Sequence, residues 1–445
     1  MDSDVTHLTE RPIPTLIRQI AIPASIGFFF NTMFNVEDTV FAGLWSTQAL
    51  AALALSFPIF FIIIAIGSGL STGSTALIAN AMGAGKRDHA RRYALQTVTA
   101  SIILSVILMS VGLAASPALF RLLGASNEYL ALSLSFMNVI FYGTVFFMLN
   151  YAFNSALNAA GNTKTFRNFL IAGFFLNGLL DPWFMFGWLG FPRLGVPGVA
   201  LATVVVQAGG CVYMGWSASR HHLIGRFAWG DFLPHKETLL AIAGQGLPAS
   251  LNALTIGIGI FVITWFLSPF GQVQIAAYGI ATRIEQIFLL PTIGLTIAAL
   301  TLSGHNNGAG KPDRVRETYA VCMRYGLLIM TVATILLFLL ARYWMLLFTR
   351  DPAVIAAGVV YLHIAALITW AYASLFTSVS VLQGLKKPAY PVWIGLYRQI
   401  VGPLLIYSLG TRFFGVLGLW WGIFGVTWSA TLITLWYTRR TLGTT

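Results

Sequence analysis

Charge is the scarcest property of this 445-residue chain: 9% of its positions are charged, while 57% are apolar. A soluble domain carries about a quarter charged residues, so a water-solvated globule is excluded. Acids are the rarest, with 14 Asp and Glu beside 26 Lys and Arg. Cysteine is almost missing. Cys211 and Cys322 stand alone in apolar surroundings, without CxxC or metal-ligand spacing, and fix neither compartment nor redox chemistry. Also lacking are a Walker-type loop, a Ser-His-Asp order and a His/Glu metal motif, so ATP use, enzymatic chemistry and a resident cofactor are not expected. His363 is alone in an apolar span and reads as a structural histidine, not a metal ligand.

What is present is apolar length. Runs fall at about 15–42, 48–80, 93–120, 128–158, 166–188 and 195–218, then at about 240–267, 273–305, 317–341, 353–384, 389–410 and 415–437. Lipid offers the backbone no hydrogen-bond partner, so a crossing takes about 20 apolar residues in one helix. The runs predict an all-α membrane protein with twelve transmembrane helices. The formal charge of +12 is dispersed in short basic clusters between runs, which is a topology signal and not a nucleic-acid face. Lys86, Arg87, Arg91 and Arg92 follow the second run, Lys164 and Arg167 the fourth, and Arg220, Arg226 and Lys236 the sixth. Lys311, Arg314 and Arg316, then Lys386 and Lys387, then Arg439 and Arg440 continue the alternation. These loops are expected on the cytoplasmic side, with both termini inside. No cleavable leader is expected, because Asp2, Asp4, Glu10 and Arg11 precede a first run too long for a signal h-region.

The chain also repeats itself. Gly83-Ala84-Gly85-Lys86 recurs as Gly308-Ala309-Gly310-Lys311, an offset of 225 residues. That offset carries Pro23-Ala24-Ser25 onto Pro248-Ala249-Ser250, and Gly69-Leu70 onto Gly294-Leu295. Two six-helix bundles are therefore expected, at 1–219 and 237–445 with a cytoplasmic linker at 220–236, related by a pseudo-two-fold along the membrane normal. Parallel repeats of this kind suit alternating access around a central cleft.

The doubled GAGK loops, Asn177-x-x-x-Asp181-Pro182, Asp38-Thr39-x-x-Ala42-Gly43 and Gly195-x-x-Gly198-x-Ala200-x-Ala202-Thr203 together resemble the multidrug and toxic compound extrusion family over nearly the whole chain. The resemblance is greatest to the bacterial subgroup related to the DNA-damage-inducible protein F. It implies the fold of that family, a position in the bacterial inner membrane, and a monomeric secondary-active antiporter. Such a protein exports lipophilic or cationic compounds in exchange for protons, with sodium as the other coupling ion. A flippase of lipid-linked intermediates, from the same superfamily, is the alternative; it calls for a basic, anion-binding cavity, for which Arg283 and Arg398 are the only deep arginines.

Only Glu37, Asp38, Asp181 and Glu285 are acids within apolar spans. A charge at the bilayer centre costs about 3 kcal/mol by insertion scales, so it is retained where it pairs, titrates or lines water. Asn31, Asn35 and Asp38 share one face of the first helix, and Asn177 and Asp181 share one face of the fifth. Both acids lie towards the outer ends of helices that start on the same side, so they can meet, and two carboxylates in low dielectric hold one proton between them. Asp38, Asp181 and Asn177 are the expected coupling site. Thr203 and Tyr142 have suitable heights to support it; Asn35 lies on the stripe, and Asn154 matches a family position nearby. Glu37 stands about 100° around the helix from Asp38 and is expected to point elsewhere, into the vestibule or substrate cleft. Glu285 and Arg398 lie at similar depth and are expected to form an ion pair. Pro23 breaks a helical hydrogen bond; the resemblance implies a hinge that bends when the site titrates, while Pro248 at the equivalent position of the second half is compatible with a packing kink. The position 225 after Asp38 is Ile263, so coupling is expected in one half alone.

Overall fold

A computed structural model describes residues 8–220 and 229–444; Asp2, Asp4 and Arg226 lie outside the described residues. Every regular element among these residues is helical. The first half contains α1 (Ile13–Trp45), α2 (Thr47–Gly83), α3 (Arg87–Leu122), α4 (Asn127–Ala159), α5 (Lys164–Phe186) and α6 (Val196–Arg220). The second contains α7 (Lys236–Leu267), α8 (Gln272–Gly308), α9 (Pro312–Leu346), α10 (Pro352–Ala366), α11 (Thr369–Gly384), α12 (Ala389–Leu396) and α13 (Gly402–Thr444).

Ten helical segments are long and apolar enough to cross a membrane, and α10 with α11, bent by 48°, makes an eleventh. The twelfth is hidden in the last of the ten. Ala389–Gly443 holds 55 residues, about 80 Å as one helix and far beyond a hydrocarbon core of about 30 Å. It turns at Gly415, whose φ of 60° and ψ of −141° are not helical. Twelve spans result, as the apolar runs predict.

The repeated loops have a backbone cause. Gly85 and Gly310 take φ of 71° and 65°, the left-handed region that only glycine occupies without strain. After each, the next amide reaches back to close the helix, from Lys86 to the Ala81 carbonyl and from Lys311 to the Asn306 carbonyl. The same offset pairs Gly161 (φ 75°) with Lys386 (φ 57°), so the repeat continues at the ends of α4 and α11 even though the residue type changes.

Two compact units emerge, and they are cut differently from the sequence halves. One takes the described residues of Met1–Ser25, Gly83–Gly85 and Leu251–Thr445, the other Ile26–Met82 and Lys86–Ser250. The cuts fall after Ser25 and after Ser250, positions 225 apart and each two residues beyond a proline. Packing explains them. Ile13, Leu16, Ile17 and Ile20 of α1 share a core with Leu295, Ala298 and Leu302 of α8. Ile242 of α7 packs with Leu70 and Leu77 of α2. In the first unit, Ser25 donates to the Pro291 carbonyl, and a Cβ on Gly294 would collide with Ala21 and Ser25. In the second, Ser250 donates to the Ile66 carbonyl, and a Cβ on Gly69 would collide with Ser250. Ile66 and Pro291 are again 225 apart, so one contact is built twice.

The described end of the linker is fastened to α3 within the second unit. Gln96 donates to the carbonyls of Asp231 (3.0 Å) and Leu233 (2.8 Å) and accepts from the His235 amide (2.9 Å). Arg91 adds an ion pair to Asp231 at 2.9 Å.

Candidate functional site

Three helices of the second unit converge on Asp38. The residues of α5 at i and i+4 are one turn apart on one face, so the Asn177 side-chain amide lies beside Asp181. From there it donates twice, to Asp38 Oδ1 at 2.7 Å and to Asp181 Oδ2 at 2.8 Å. Thr203, on α6, approaches Asp38 Oδ2 at 3.4 Å while its hydroxyl also meets the Val199 carbonyl at 3.2 Å. Asn177 and Asp181 are fully buried, and Thr203 nearly so. The two carboxylates therefore share one amide donor, which bridges α1 and α5.

Donors do not match acceptors here. Asp181 Oδ1, Asn177 Oδ1 and Glu37 Oε2 are buried, and no donor among the described residues reaches them. A buried acceptor left in this way costs about 1–3 kcal/mol. One proton or one small cation placed among these oxygens would supply the missing partner and offset charge at the same time.

Glu37 departs from its expected direction. Its offset from Asp38 around the helix is real, but its carboxylate still reaches α5, lying beside Asn177. The reason is Gly178. A Cβ there would collide with Glu37 Oε1, so the bare backbone of Gly178 leaves the notch into which the longer glutamate side chain extends. A Gly178→Ala methyl meets the far end of a flexible side chain and leaves the fold intact. We expect it to displace Glu37 and slow transport about five-fold, equivalent to ~1 kcal/mol, with Glu37→Ala abolishing the difference; initial transport rates of the two single variants and the double variant check this.

The other expected members are dispersed. Asn35 bonds the Asn31 carbonyl at 2.7 Å and is exposed, without a hydrogen bond to Asp38 or Asp181. Tyr142 is 65% exposed. Asn154 is buried without a hydrogen bond to Asp38 or Asp181, and Asn150, one turn before it, ties α4 to α6 through Gln207 at 2.7 Å. Pro23 lies inside a continuous α1, two residues before the unit boundary.

In the first unit Glu285 and Arg398 do not form the expected ion pair. Glu285 is buried and accepts a hydrogen bond from the Tyr361 hydroxyl at 3.0 Å. Arg398 is within its electrostatic reach but turns its guanidinium over the rings of Tyr372 and Phe376, 5.5 and 5.8 Å from their centroids. A π-helical turn at Tyr397–Val401 displaces Arg398 from regular α-helical register, which a helical wheel cannot foresee. Arg283 is exposed. At the repeat-equivalent of Asp38, Ile263 packs against an apolar core, so the carboxylate cluster has no counterpart there.

Comparison with known proteins gives a consistent result. The MatE family profile matches residues 23–183 and 248–408, two segments displaced by the same 225 residues as the internal repeat. The chain is 26% identical over 413 residues to an FAD transporter of Shewanella oneidensis, covering 93% of this chain and 91% of that one. It is 26% identical over 427 residues to the probable multidrug resistance protein NorM of Thermotoga maritima, covering 94% and 91%. Among solved structures, an outward-facing multidrug resistance MATE family transporter of the MOP superfamily superposes with a TM-score of 0.92 at 24% identity, covering 99% of this chain and 98% of that one.

Proposed function

The chain belongs to the MatE family of membrane transporters, and from that premise we propose that it is a secondary-active exporter of lipophilic and cationic compounds, driven by inward proton movement. The observation that carries this reading is the Asn177 amide joined to both Asp38 and Asp181, with its own Oδ1 and oxygens of Asp181 and Glu37 buried and lacking donors among the described residues. Such a cluster holds one proton well, and losing that proton leaves a net charge in a low-dielectric site, which biases a two-state protein. Relatives named for multidrug resistance support the substrate class. The alternating basic loops support a bacterial inner-membrane orientation with both termini in the cytoplasm.

Within this reading each half is a lobe, and coupling resides in the lobe that carries Asp38, Asp181, Asn177 and Thr203. Pro23 is the hinge of α1, a role supported by the unit boundary two residues beyond it. Tyr142, Asn154 and Asn35 act in a different state of the cycle, or in substrate contact. Proton coupling is preferred to sodium because two buried carboxylates bridged by a single amide donor favour holding one proton between them.

The test is dye transport by the full chain in everted vesicles under imposed gradients. Uptake that follows a pH gradient in sodium-free buffer, and collapses with a protonophore, is the expected result. Uptake that needs sodium at constant pH would replace the proton with sodium. A protein that carries no cation under either gradient would overturn the exporter.

A further inference from the structure

Arg398 lies inside the span that begins at Ala389, and no hydrogen-bond acceptor among the described residues engages its guanidinium. No carboxylate comes within ion-pair distance of it, since the ion pairs formed by the described residues lie elsewhere. The buried acid of the same unit, Glu285, accepts from Tyr361 at Oε2, and its Oε1 has no donor among the described residues. What Arg398 has instead is a platform. Tyr372 and Phe376, one helical turn apart on α11, stack with centroids 5.6 Å apart and planes 19° from parallel, and the guanidinium sits over both rings. Cation–π attraction holds the group in place but satisfies none of its N–H donors. Arg398 is partly exposed. The π turn that carries it is an irregularity of the kind that recurs at functional sites.

We propose that Arg398, on the stacked rings of Tyr372 and Phe376, is a substrate subsite for planar aromatic compounds bearing a carboxylate or phosphate. The guanidinium is a planar fork that matches either group with two parallel hydrogen bonds. The ring pair extends that recognition to a flat molecule, whose stacking does not depend on its charge. A compound of this class brings an anionic acceptor into hydrogen-bond reach of the guanidinium, where Glu285 forms no ion pair with it. A planar cation of equal size meets repulsion at Arg398 and is handled without it. The inference rests on the exporter reading and widens its substrate class from cations to anions. The repeat points the same way: the position 225 before Arg398 is Gly173, so the subsite belongs to one half, as the carboxylate cluster belongs to the other.

The experiment compares two xanthene dyes in proteoliposomes of the full chain, anionic fluorescein and cationic rhodamine 6G, in the native protein, Arg398→Gln and Arg398→Lys. Expected are transport of both dyes by the native chain, and a loss of about ten-fold in fluorescein transport for Arg398→Gln, the scale of one charge-assisted contact. Rhodamine transport stays within about two-fold, and Arg398→Lys keeps part of the fluorescein rate, since the charge remains but the fork is lost. Equal loss of both dyes would make Arg398 a structural residue and overturn the proposal. So would fluorescein transport that ignores the substitution, or a native chain that carries rhodamine but never fluorescein. A native chain that carries neither dye overturns the exporter reading itself. A third arm follows fluorescent phosphatidylglycerol across the bilayer: Arg398-dependent movement of that lipid, without fluorescein transport, would assign the subsite to a lipid headgroup and reject soluble aromatic acids.

Discussion

Asp38→Asn should reduce pH-driven dye transport to the level of protein-free vesicles while leaving the amount of folded protein in the membrane unchanged. The amide has the shape of the carboxylate, and its oxygen still accepts from Asn177 or Thr203, which now contact Asp38 at 2.7 and 3.4 Å. What it cannot do is take up and release a proton. Each proton moved down one pH unit delivers about 1.4 kcal/mol, and shifting a two-state equilibrium from one extreme to the other needs about 5.5 kcal/mol of differential binding. A site deprived of its titrating group contributes nothing to that shift, so the expected effect is complete. Substrate binding should survive within a few-fold, because the substitution removes a titrating group and keeps its shape. A second measurement separates coupling from assembly: binding of dye to the purified native chain in weak buffer displaces protons, and the Asp38→Asn chain should displace none. Asp181→Asn should act in the same direction. Transport that persists in Asp38→Asn would move the proton site to Glu37 or Glu285 and end the case for the Asp38 cluster.

Features of this chain differ in how readable they are from sequence. Span number, the repeat and the meeting of Asp38 with Asn177 and Asp181 are legible because helical period and segment order set them. Two acids at the same height on helices that start from the same side need no further information to find each other. Contacts that depend on the rotation of one helix against another are not legible. Glu37 reaches α5 because position 178 has no side chain, which matters only once the facing helix is known. Glu285 and Arg398 are close in depth, but a π turn and an available Tyr361 hydroxyl give each another partner. The clamp of Gln96 on the linker backbone leaves no trace in composition, since the linker contributes carbonyls and an amide, which every residue has. The exchange of the first stretches of α1 and α7 between units was written in the repeat as Ser25 and Ser250, Gly69 and Gly294. Sequence marked those positions as special without saying what they touch.

That paired contact gives the second large effect. Gly294→Val should cost more than ordinary overpacking of a core, and Gly69→Val should do the same in the other unit. At Gly294 the added Cβ meets the Ala21 carbonyl and the Ser25 hydroxyl, and at Gly69 it meets the amide and hydroxyl of Ser250. These obstacles are mostly backbone, which cannot rotate aside as a side-chain tip does. Small residues allow such helices to approach closely in lipid, where packing and hydrogen bonds replace the hydrophobic drive. Forcing a branched side chain into the gap separates the helices and breaks the bonds from Ser25 to Pro291 and from Ser250 to Ile66. The loss should reach about 3 kcal/mol, the upper range for overpacked sites, seen as a lower melting temperature in detergent and reduced transport. Gly244→Ala and Gly279→Ala are the controls, because a Cβ at either position meets nothing within 4 Å. If the contact is one structural device built twice, the two valine variants should lose similar stability, and Ser25→Ala and Ser250→Ala should each lose a smaller, similar amount. Full stability in Gly294→Val would show that α1 and α8 tolerate separation, and that the repeated Pro-Ala-Ser and Gly-Leu pairs have a cause other than close approach.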